Sequence, residues 1–187
     1  AVGVADRLLG LDHFVRPSDE MAVARREGRL QRNFQGYSVN MASDLIGLGV
    51  SAISSLPDFY AQNATSLEEY YARLDRGEIP IARGRRLTAD DKVRRHVIMS
   101  LICNLALDTG LIWPRFGIRF FDYFAKEVQD LAELECDGLV TWDEGWLQVT
   151  PRGRQVLRKV CMVFDRYLAE NKTPANNTEL YCFCSNR

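Results

Sequence analysis

The sequence predicts a mixed α/β fold that is mainly helical, in which a terminal strand and loops precede a helical, winged-helix-like domain with a small β-hairpin. Residues 10–56 interleave short apolar stretches with glycine and polar residues, whereas residues 88–168 repeat apolar residues at the spacing of an α-helix. The segment 78–86 separates these regions, because it contains proline and glycine and has no helical period. We therefore expect domains at 1–82 and 83–170, with a disordered tail at 171–187.

The N-terminal region predicts a short strand followed by a capped helix. Residues 8–15 form an apolar run typical of a strand. Ser18 is expected to cap the next helix, whose first turn is acidic, and Gly28 is expected to end it. Residues 29–43 are expected to be irregular.

The apolar run at 44–55 has two interpretations, a buried strand or a tightly packed helix, because periodicity alone does not separate them. Gly47 and Gly49 would let the backbone approach a neighbouring group closely. After this run, the capping box that begins at Ser66 predicts a helix at 67–76.

The C-terminal region has the most regular pattern. Thr88 opens a capping signature, and the helix after it carries one apolar stripe. A second helix, a hairpin within 139–149 and a last helix opened by Pro151 follow, which is a winged-helix-like order. The stripes consist of Val93, Val97, Ile98, Leu101, Ile102 and Leu105, then Phe121, Phe124, Val128 and Leu131, then Val156, Leu157, Val160, Cys161, Phe164 and Leu168.

Composition and charge argue against several classes of function. The formal net charge is −1, so no overall field attracts nucleic acid or an anionic membrane. The longest apolar stretch is far shorter than the roughly 20 residues of a membrane-spanning helix. The cysteine count is five, an odd number that favours a reducing cytoplasm over a disulfide framework. Cys182 and Cys184 form a C-x-C pair without nearby histidines, so we expect no metal ligands. Because no secretory signal and no initiator methionine are present, we expect a fragment or a processed piece.

Three short segments could carry chemistry. His13, beside Asp12, could act as an acid or base or bind a ligand, although a buried histidine satisfied by backbone groups is the commoner case. Gln35 could hold a polar ligand group between the rings of Phe34 and Tyr37, or these aromatic residues could anchor a loop on the core. Ile53, taken alone, is typical of a core residue.

Two groups of basic residues also have alternative interpretations. The first could receive carboxylates, but solvated surface is the commoner reading. The second could be the basic face of a winged helix on DNA, against which the near-zero net charge argues. The first group comprises Arg83, Arg85, Arg86, Arg94 and Arg95, and the second comprises Arg152, Arg154, Arg158 and Lys159.

The chain closely resembles the C-terminal part of the oxygen-independent coproporphyrinogen III oxidases, which are radical S-adenosylmethionine enzymes of heme biosynthesis. The resemblance extends roughly from Leu8 to Leu168 and is densest in 10–37 and 43–63. The family's iron–sulfur motif, C-x3-C-x2-C, does not occur in these 187 residues. The resemblance therefore implies the end of an incomplete radical-SAM (β/α) barrel, with its active-site loops, followed by the winged-helix-like domain.

The resemblance also implies roles for individual residues. Phe34 and Gln35 match the family's active-site loop, and Ile53 matches the isoleucine that lies against S-adenosylmethionine. His13 and Tyr37 are candidates for a substrate pocket. These cytoplasmic enzymes use a [4Fe-4S] cluster and S-adenosylmethionine to form a 5′-deoxyadenosyl radical. The radical leads to oxidative decarboxylation of two propionates of coproporphyrinogen III, which gives protoporphyrinogen IX.

We expect this chain to be inactive alone, because the cluster ligands would lie in the N-terminal part of the family's fold. The electron donor is not identified, and no nucleic acid or membrane partner is expected. Two alternatives remain open. One is a related protein that traffics heme, and the other is a winged-helix module that binds nucleic acid or a protein.

Overall fold

The structure, a computed structural model, describes residues 7–9, 13–34, 36–39 and 44–170. The chain divides into two compact units. The first unit contains residues 1–39 and 93–187, and the second unit contains residues 40–92. Each unit is described separately below.

The N-terminal part of the first unit consists of two small hairpins around one helix. Strand β1 (Arg7–Leu8) pairs antiparallel with β2 (Phe14–Val15), so the predicted continuous strand is two short ones. Helix α1 spans Glu20–Arg26. The prediction that Ser18 caps this helix is wrong: Asp19 has the extended backbone of a cap, and its carboxylate accepts the Met21 amide at 2.9 Å.

The segment predicted to be irregular contains a hairpin. Strand β3 (Gln31–Asn33) pairs antiparallel with β4 (Gly36–Ser38). Gly28, at a φ of 67°, follows α1 as predicted, because a left-handed residue commonly ends a helix. The hairpin therefore begins within a few residues of the helix end.

The second unit is a three-stranded antiparallel sheet with one helix. Its strands are β5 (Ile53–Ser55), β6 (Phe59–Asn63) and β7 (Ile81–Arg86), in the order β5-β6-β7. Helix α2 (Leu67–Asp75) begins at Ser66, whose hydroxyl accepts the Glu69 amide, as predicted. The apolar run 44–55 is therefore strand and loop, and the segment predicted as a separator contributes a strand.

The C-terminal part alternates helices with a second three-stranded sheet. Helix α3 spans Ala89–Asn104, and the predicted hairpin is confirmed as β9–β10. A third strand, β8, was not predicted; it pairs with β10. The predicted last helix is broken into short pieces. In order, the elements after α3 are β8 (Ala106–Asp108), a 3₁₀ turn (Thr109–Leu111), α4 (Ile112–Phe116), α5 (Phe120–Tyr123), α6 (Ala125–Cys136), β9 (Val140–Asp143), β10 (Trp146–Val149), a 3₁₀ turn (Gly153–Val156), α7 (Leu157–Met162) and α8 (Arg166–Glu170).

The core of the first unit joins both ends of its sequence. Val97, Ile98 and Leu101 of α3 are fully buried, and Leu9 and Tyr37 from the N-terminal part belong to the same buried cluster. Burial of these side chains removes apolar surface from water, which is the main stabilising term. Leu9 and Tyr37 therefore pack with the C-terminal elements. The predicted assignment of 1–82 and 83–170 to two domains of a parent fold stays a prediction.

The architecture is mixed and mainly helical, as predicted. The described residues form four small sheets and no closed barrel. Among these residues, no helix combines the length and the apolar character needed to cross a membrane.

Candidate functional site

The turn of the β3–β4 hairpin carries Phe34 of the predicted Phe–Gln loop. Asn33 and Gly36 face each other across the hairpin, and the Asn33 side-chain oxygen accepts the Gly36 amide at 3.2 Å. This bond closes the turn. Phe34 lies in the turn and is half-buried. Gln35 lies outside the described residues, so its predicted role stays a prediction.

His13 packs directly on this hairpin. Its ring meets that of Tyr37 edge-on, with 5.1 Å between the ring centres. Gly36 has a φ of 144°, and a Cβ there would lie 3.4 Å from the His13 Nε2 atom. Glycine is therefore favoured by the backbone conformation, while the imidazole lies at an ordinary contact distance from the position of such a Cβ. The structure brings together His13 and Tyr37, whereas Asp12 lies outside the described residues.

Tyr37 fixes the hairpin to the core. Its side chain is buried, and its hydroxyl donates to the Ile102 carbonyl of α3 at 3.3 Å. A buried phenol that is hydrogen-bonded in this way holds its ring in one position. The contacts favour the anchor interpretation for Tyr37 within this chain, and its role at a substrate pocket stays a prediction.

Ile53, in the second unit, lies at the start of β5 and is half-buried. A Cβ on Gly47 would lie only 2.7 Å from the Ile53 carbonyl oxygen. Any side chain larger than hydrogen at position 47 would therefore displace this backbone. The prediction that Gly47 permits a close backbone approach is confirmed, and the group approached is Ile53 itself.

Two buried amides that the sequence analysis missed hold the loop before Ile53. The Asn63 amide donates to the carbonyls of Gly47 at 3.2 Å and Gly49 at 2.9 Å. The Gln62 amide donates to the Ser51 carbonyl at 3.0 Å. Both side chains are less than a tenth exposed. Two adjacent amides at the end of an apolar strand are the only sequence signal that could have indicated this role.

The first arginine group does not behave as one solvated surface. Arg83 donates from Nε to the Gln62 side-chain oxygen at 2.8 Å, which orients that amide toward the loop. In the first unit, Arg94 pairs with Glu127 at 2.7 Å and also donates to the Phe164 carbonyl. The Arg94 and Glu127 side chains are each 13% exposed. The solvated interpretation is therefore wrong for Arg94.

The cysteines do not provide a metal site in the described part of the chain. No group of three potential ligands among His, Cys, Asp and Glu occurs there. Burial raises the pKa of the Cys103 thiol to about 12, so it stays protonated near neutral pH. Cys161 is also buried, and Cys136 is exposed. These residues do not fit the cysteine thiolates that a [4Fe-4S] cluster requires.

Comparisons with known proteins explain this arrangement. Residues 87–156 match the family model described as the HemN C-terminal domain. The oxygen-independent coproporphyrinogen III oxidase of Escherichia coli strain K12 is 51% identical over 164 residues, which cover 88% of this chain and 36% of that protein. The chain belongs to the oxygen-independent coproporphyrinogen III oxidase family. It matches the C-terminal region of these oxidases and spans about a third of their length.

Other members of the oxidase family agree with this assignment. The Pseudomonas aeruginosa oxidase is 47% identical, covering 87% of this chain and 35% of that protein. A solved structure described as the coproporphyrinogen III oxidase (HemN) from Escherichia coli, a radical SAM enzyme, superposes with a TM-score of 0.84 at 51% identity. That match covers 87% of this chain and 37% of the solved chain. The small sheets and helices described above are therefore the fold of the C-terminal region of this family.

Proposed function

We propose that this chain forms the C-terminal portion of a cytoplasmic oxidase that converts coproporphyrinogen III to protoporphyrinogen IX. In this reaction two propionates are oxidatively decarboxylated. The observation that carries the proposal is the match to the Escherichia coli oxidase, at 51% identity and a TM-score of 0.84 over almost nine-tenths of this chain. On this account the chain alone does not catalyse the reaction.

We assign the catalytic contribution of this chain to Phe34 and Gln35. The hairpin that carries them is held by the buried Tyr37 phenol and by His13. A turn held in this way would present the Phe34 ring at low entropic cost when substrate arrives. Gln35 would hold a polar substrate group without adding charge, and Phe34 would exclude water beside it.

Ile53 is assigned to S-adenosylmethionine. Its side chain is half-buried and apolar, and the segment before it is held by Asn63 and packed on Gly47, so it offers a fixed apolar surface for an adenine face. When bound with the cluster, S-adenosylmethionine supplies a hydrogen-abstracting radical. The described residues do not fit the [4Fe-4S] cluster, whose ligands would come from the part of the oxidase that this chain does not match.

The C-terminal elements are proposed to form a winged-helix-like cover for the substrate or a support for the barrel. Support comes from the order of the sheet β8-β10-β9, in which β8 follows α3 and the β9–β10 hairpin follows α6.

The second unit carries exposed apolar side chains: Leu48 is 88% exposed and Leu67 is 63% exposed. Exposed apolar side chains of this size are typical of surfaces that pack against further protein.

The test is anaerobic reconstitution of this chain with iron and sulfide. We expect no stable four-iron absorption spectrum and no cleavage of S-adenosylmethionine. The intact Escherichia coli oxidase, treated in parallel, is the positive control. A stable cluster with S-adenosylmethionine cleavage by this chain would overturn the proposed division of the site.

A further inference from the structure

The second unit contains a tight turn at residues 49–52, immediately before Ile53. The Ala52 amide donates to the Gly49 carbonyl across this turn at 3.4 Å. Gly49 has a φ of 102° and Ser51 has a φ of 58°. A residue with a side chain adopts such values only at a cost in free energy, so the backbone at Ser51 is strained. Strain of this kind persists where the surrounding contacts impose it, and it is concentrated at ligand sites.

The end of strand β6 imposes the conformation of this turn. The Ser51 amide donates to the Ala64 carbonyl at 2.8 Å, and the Ser51 carbonyl accepts the Gln62 side-chain amide at 3.0 Å. The Asn63 side-chain amide donates to the Gly49 carbonyl at 2.9 Å. Gln62, Asn63 and Ala64 are all buried, whereas Ser51 is exposed. The strained turn is therefore held by hydrogen bonds from buried residues, which are stronger than the same bonds in water.

Arg83, on the neighbouring strand β7, sets the orientation of the Gln62 side chain. A carboxamide rotated by 180° keeps its shape but would present its oxygen, instead of its NH2 group, to the Ser51 carbonyl. The Nε and Nη2 atoms of Arg83 both donate to the Gln62 Oε1 atom, from Nε at 2.8 Å. Because a guanidinium group has no acceptor, the Gln62 oxygen must face Arg83 and the NH2 group must face the turn.

We propose that Arg83, Gln62 and Asn63 are positioning residues for S-adenosylmethionine, which they affect through the turn at 49–52. The inference rests on the proposed function, which assigns Ile53 to this ligand. Ile53 follows Ser51 by two residues, so the dihedral angles of Ser51 set the direction in which the chain enters β5. Since the folded chain already holds the strained turn, binding does not have to supply the free energy of ordering it.

The test measures S-adenosylmethionine binding by the intact, cluster-loaded oxidase that contains this chain, using equilibrium dialysis with the labelled ligand. Gln62→Glu keeps the size of the side chain and an acceptor for Arg83, but it replaces the donor that faces Ser51 with an oxygen. We expect Gln62→Glu to raise Kd about tenfold, the effect of losing one hydrogen bond that holds the turn. Arg83→Met should raise Kd about threefold, because the donor remains but its orientation is no longer fixed.

The matched control is Arg86→Met, because Arg86 is exposed on the same strand as Arg83. It also removes one guanidinium group, and it should leave Kd for S-adenosylmethionine unchanged. An equal rise of Kd in Arg83→Met and Arg86→Met would assign the effect to the charge of β7 and would overturn the inference.

Steady-state kinetics separate a positioning role from a general loss of structure. In Gln62→Glu the KM for S-adenosylmethionine should rise about tenfold, whereas kcat at saturating ligand and the KM for coproporphyrinogen III should change less than about twofold. A general loss of structure would instead raise both KM values and lower the cluster content. That pattern would contradict a positioning role.

Hydrogen exchange in the full chain without ligand gives a result that does not depend on the proposed function. Gln62→Glu and Arg83→Met should both speed amide exchange within residues 49–53, and Arg86→Met should not. Unchanged exchange, or an unchanged Kd in Gln62→Glu, would overturn the inference and leave the proposed function standing. No binding of S-adenosylmethionine by the unsubstituted, cluster-loaded oxidase would overturn both.

Discussion

Arg32 and Tyr37 face each other across the β3–β4 hairpin, with the Arg32 guanidinium carbon 4.8 Å from the centre of the Tyr37 ring. The same ring meets His13 edge-on, and its hydroxyl donates to the Ile102 carbonyl. The Tyr37 side chain thus contacts a guanidinium group, an imidazole ring and a backbone carbonyl of α3. Tyr37 therefore joins the hairpin that carries Phe34 to helix α3.

Substitutions at Tyr37 should separate the hydrogen bond from the ring. We expect Tyr37→Phe to cost about 1 kcal/mol, because only the bond to Ile102 is lost. Tyr37→Ala should cost about 3–5 kcal/mol, since it also removes the buried ring and its contacts with Arg32 and His13. Urea denaturation of the chain measures both values. Equal costs for the two substitutions would show that the ring contributes little to the fold.

Gly153 provides a direct test of the packing beside the β9–β10 hairpin. A Cβ at this position would lie 1.8 Å from the Leu139 carbonyl oxygen, a backbone atom that cannot move without the strand. We expect Gly153→Ala to destabilise the chain by at least about 3 kcal/mol. Gly28→Ala is the control: it meets open space but has a φ of 67°, so it should cost only about 1 kcal/mol. The two free energies of unfolding are compared by chemical denaturation, and equal costs would contradict the packing described.

Asn63 should control the loop that precedes Ile53. Asn63→Ala removes both bonds to the Gly47 and Gly49 carbonyls, so we expect a loss of about 2 kcal/mol and faster amide exchange within residues 47–53. Hydrogen exchange followed by mass spectrometry resolves this segment. Gln148→Ala, on the exposed face of β10, is the control and should leave exchange unchanged. Unchanged protection of 47–53 in Asn63→Ala would contradict the role assigned to this amide.

His96 should make stability fall on mild acidification. Burial lowers the pKa of this imidazole below its ordinary value, and the Arg115 cation lowers it further. As the pH decreases from about 6.5, the unfolded chain binds the proton before the folded chain does, so the free energy of unfolding decreases until the pKa of the folded state is reached. Denaturation between pH 7 and 5 measures this slope. His96→Gln should make the free energy of unfolding depend less on pH. Arg115→Met should narrow the pH range over which stability falls, because it removes one cause of the lowered pKa of His96. An unchanged pH dependence in His96→Gln would show that other groups cause it.

Local signals in the sequence predicted those parts of the fold that depend on neighbouring residues. The cap at Ser66 is confirmed, and so is the capping box at Thr88, whose hydroxyl accepts the Asp91 amide. The β9–β10 hairpin is likewise encoded within ten residues. Strands β3, β4 and β8 were missed because each is only three residues long. Strand β7 was missed because it carries three arginines where an alternating apolar pattern would be expected.

In the candidate site too, the sequence predicted some features and missed others. The sequence predicted that the backbone at Gly47 approaches another group closely, because a glycine in an apolar run often marks such a contact. It did not predict that this group is Ile53. It also did not predict the hydrogen bonds of the Asn63 amide, because their acceptors lie 14 and 16 residues away in the sequence. The hydrogen bond between the Tyr37 hydroxyl and the Ile102 carbonyl depends on packing between distant parts of the first unit's sequence, which no local pattern encodes.

The most direct test of the central claim is the turnover of a chimera in which this chain replaces the matching C-terminal region of the Escherichia coli oxidase. Under anaerobic conditions we expect the chimera to form protoporphyrinogen IX from coproporphyrinogen III. Gln35→Ala and Ile53→Asp should each abolish turnover while the four-iron absorption spectrum is retained. A folded, cluster-loaded chimera that turns over equally well with both substitutions would contradict the account.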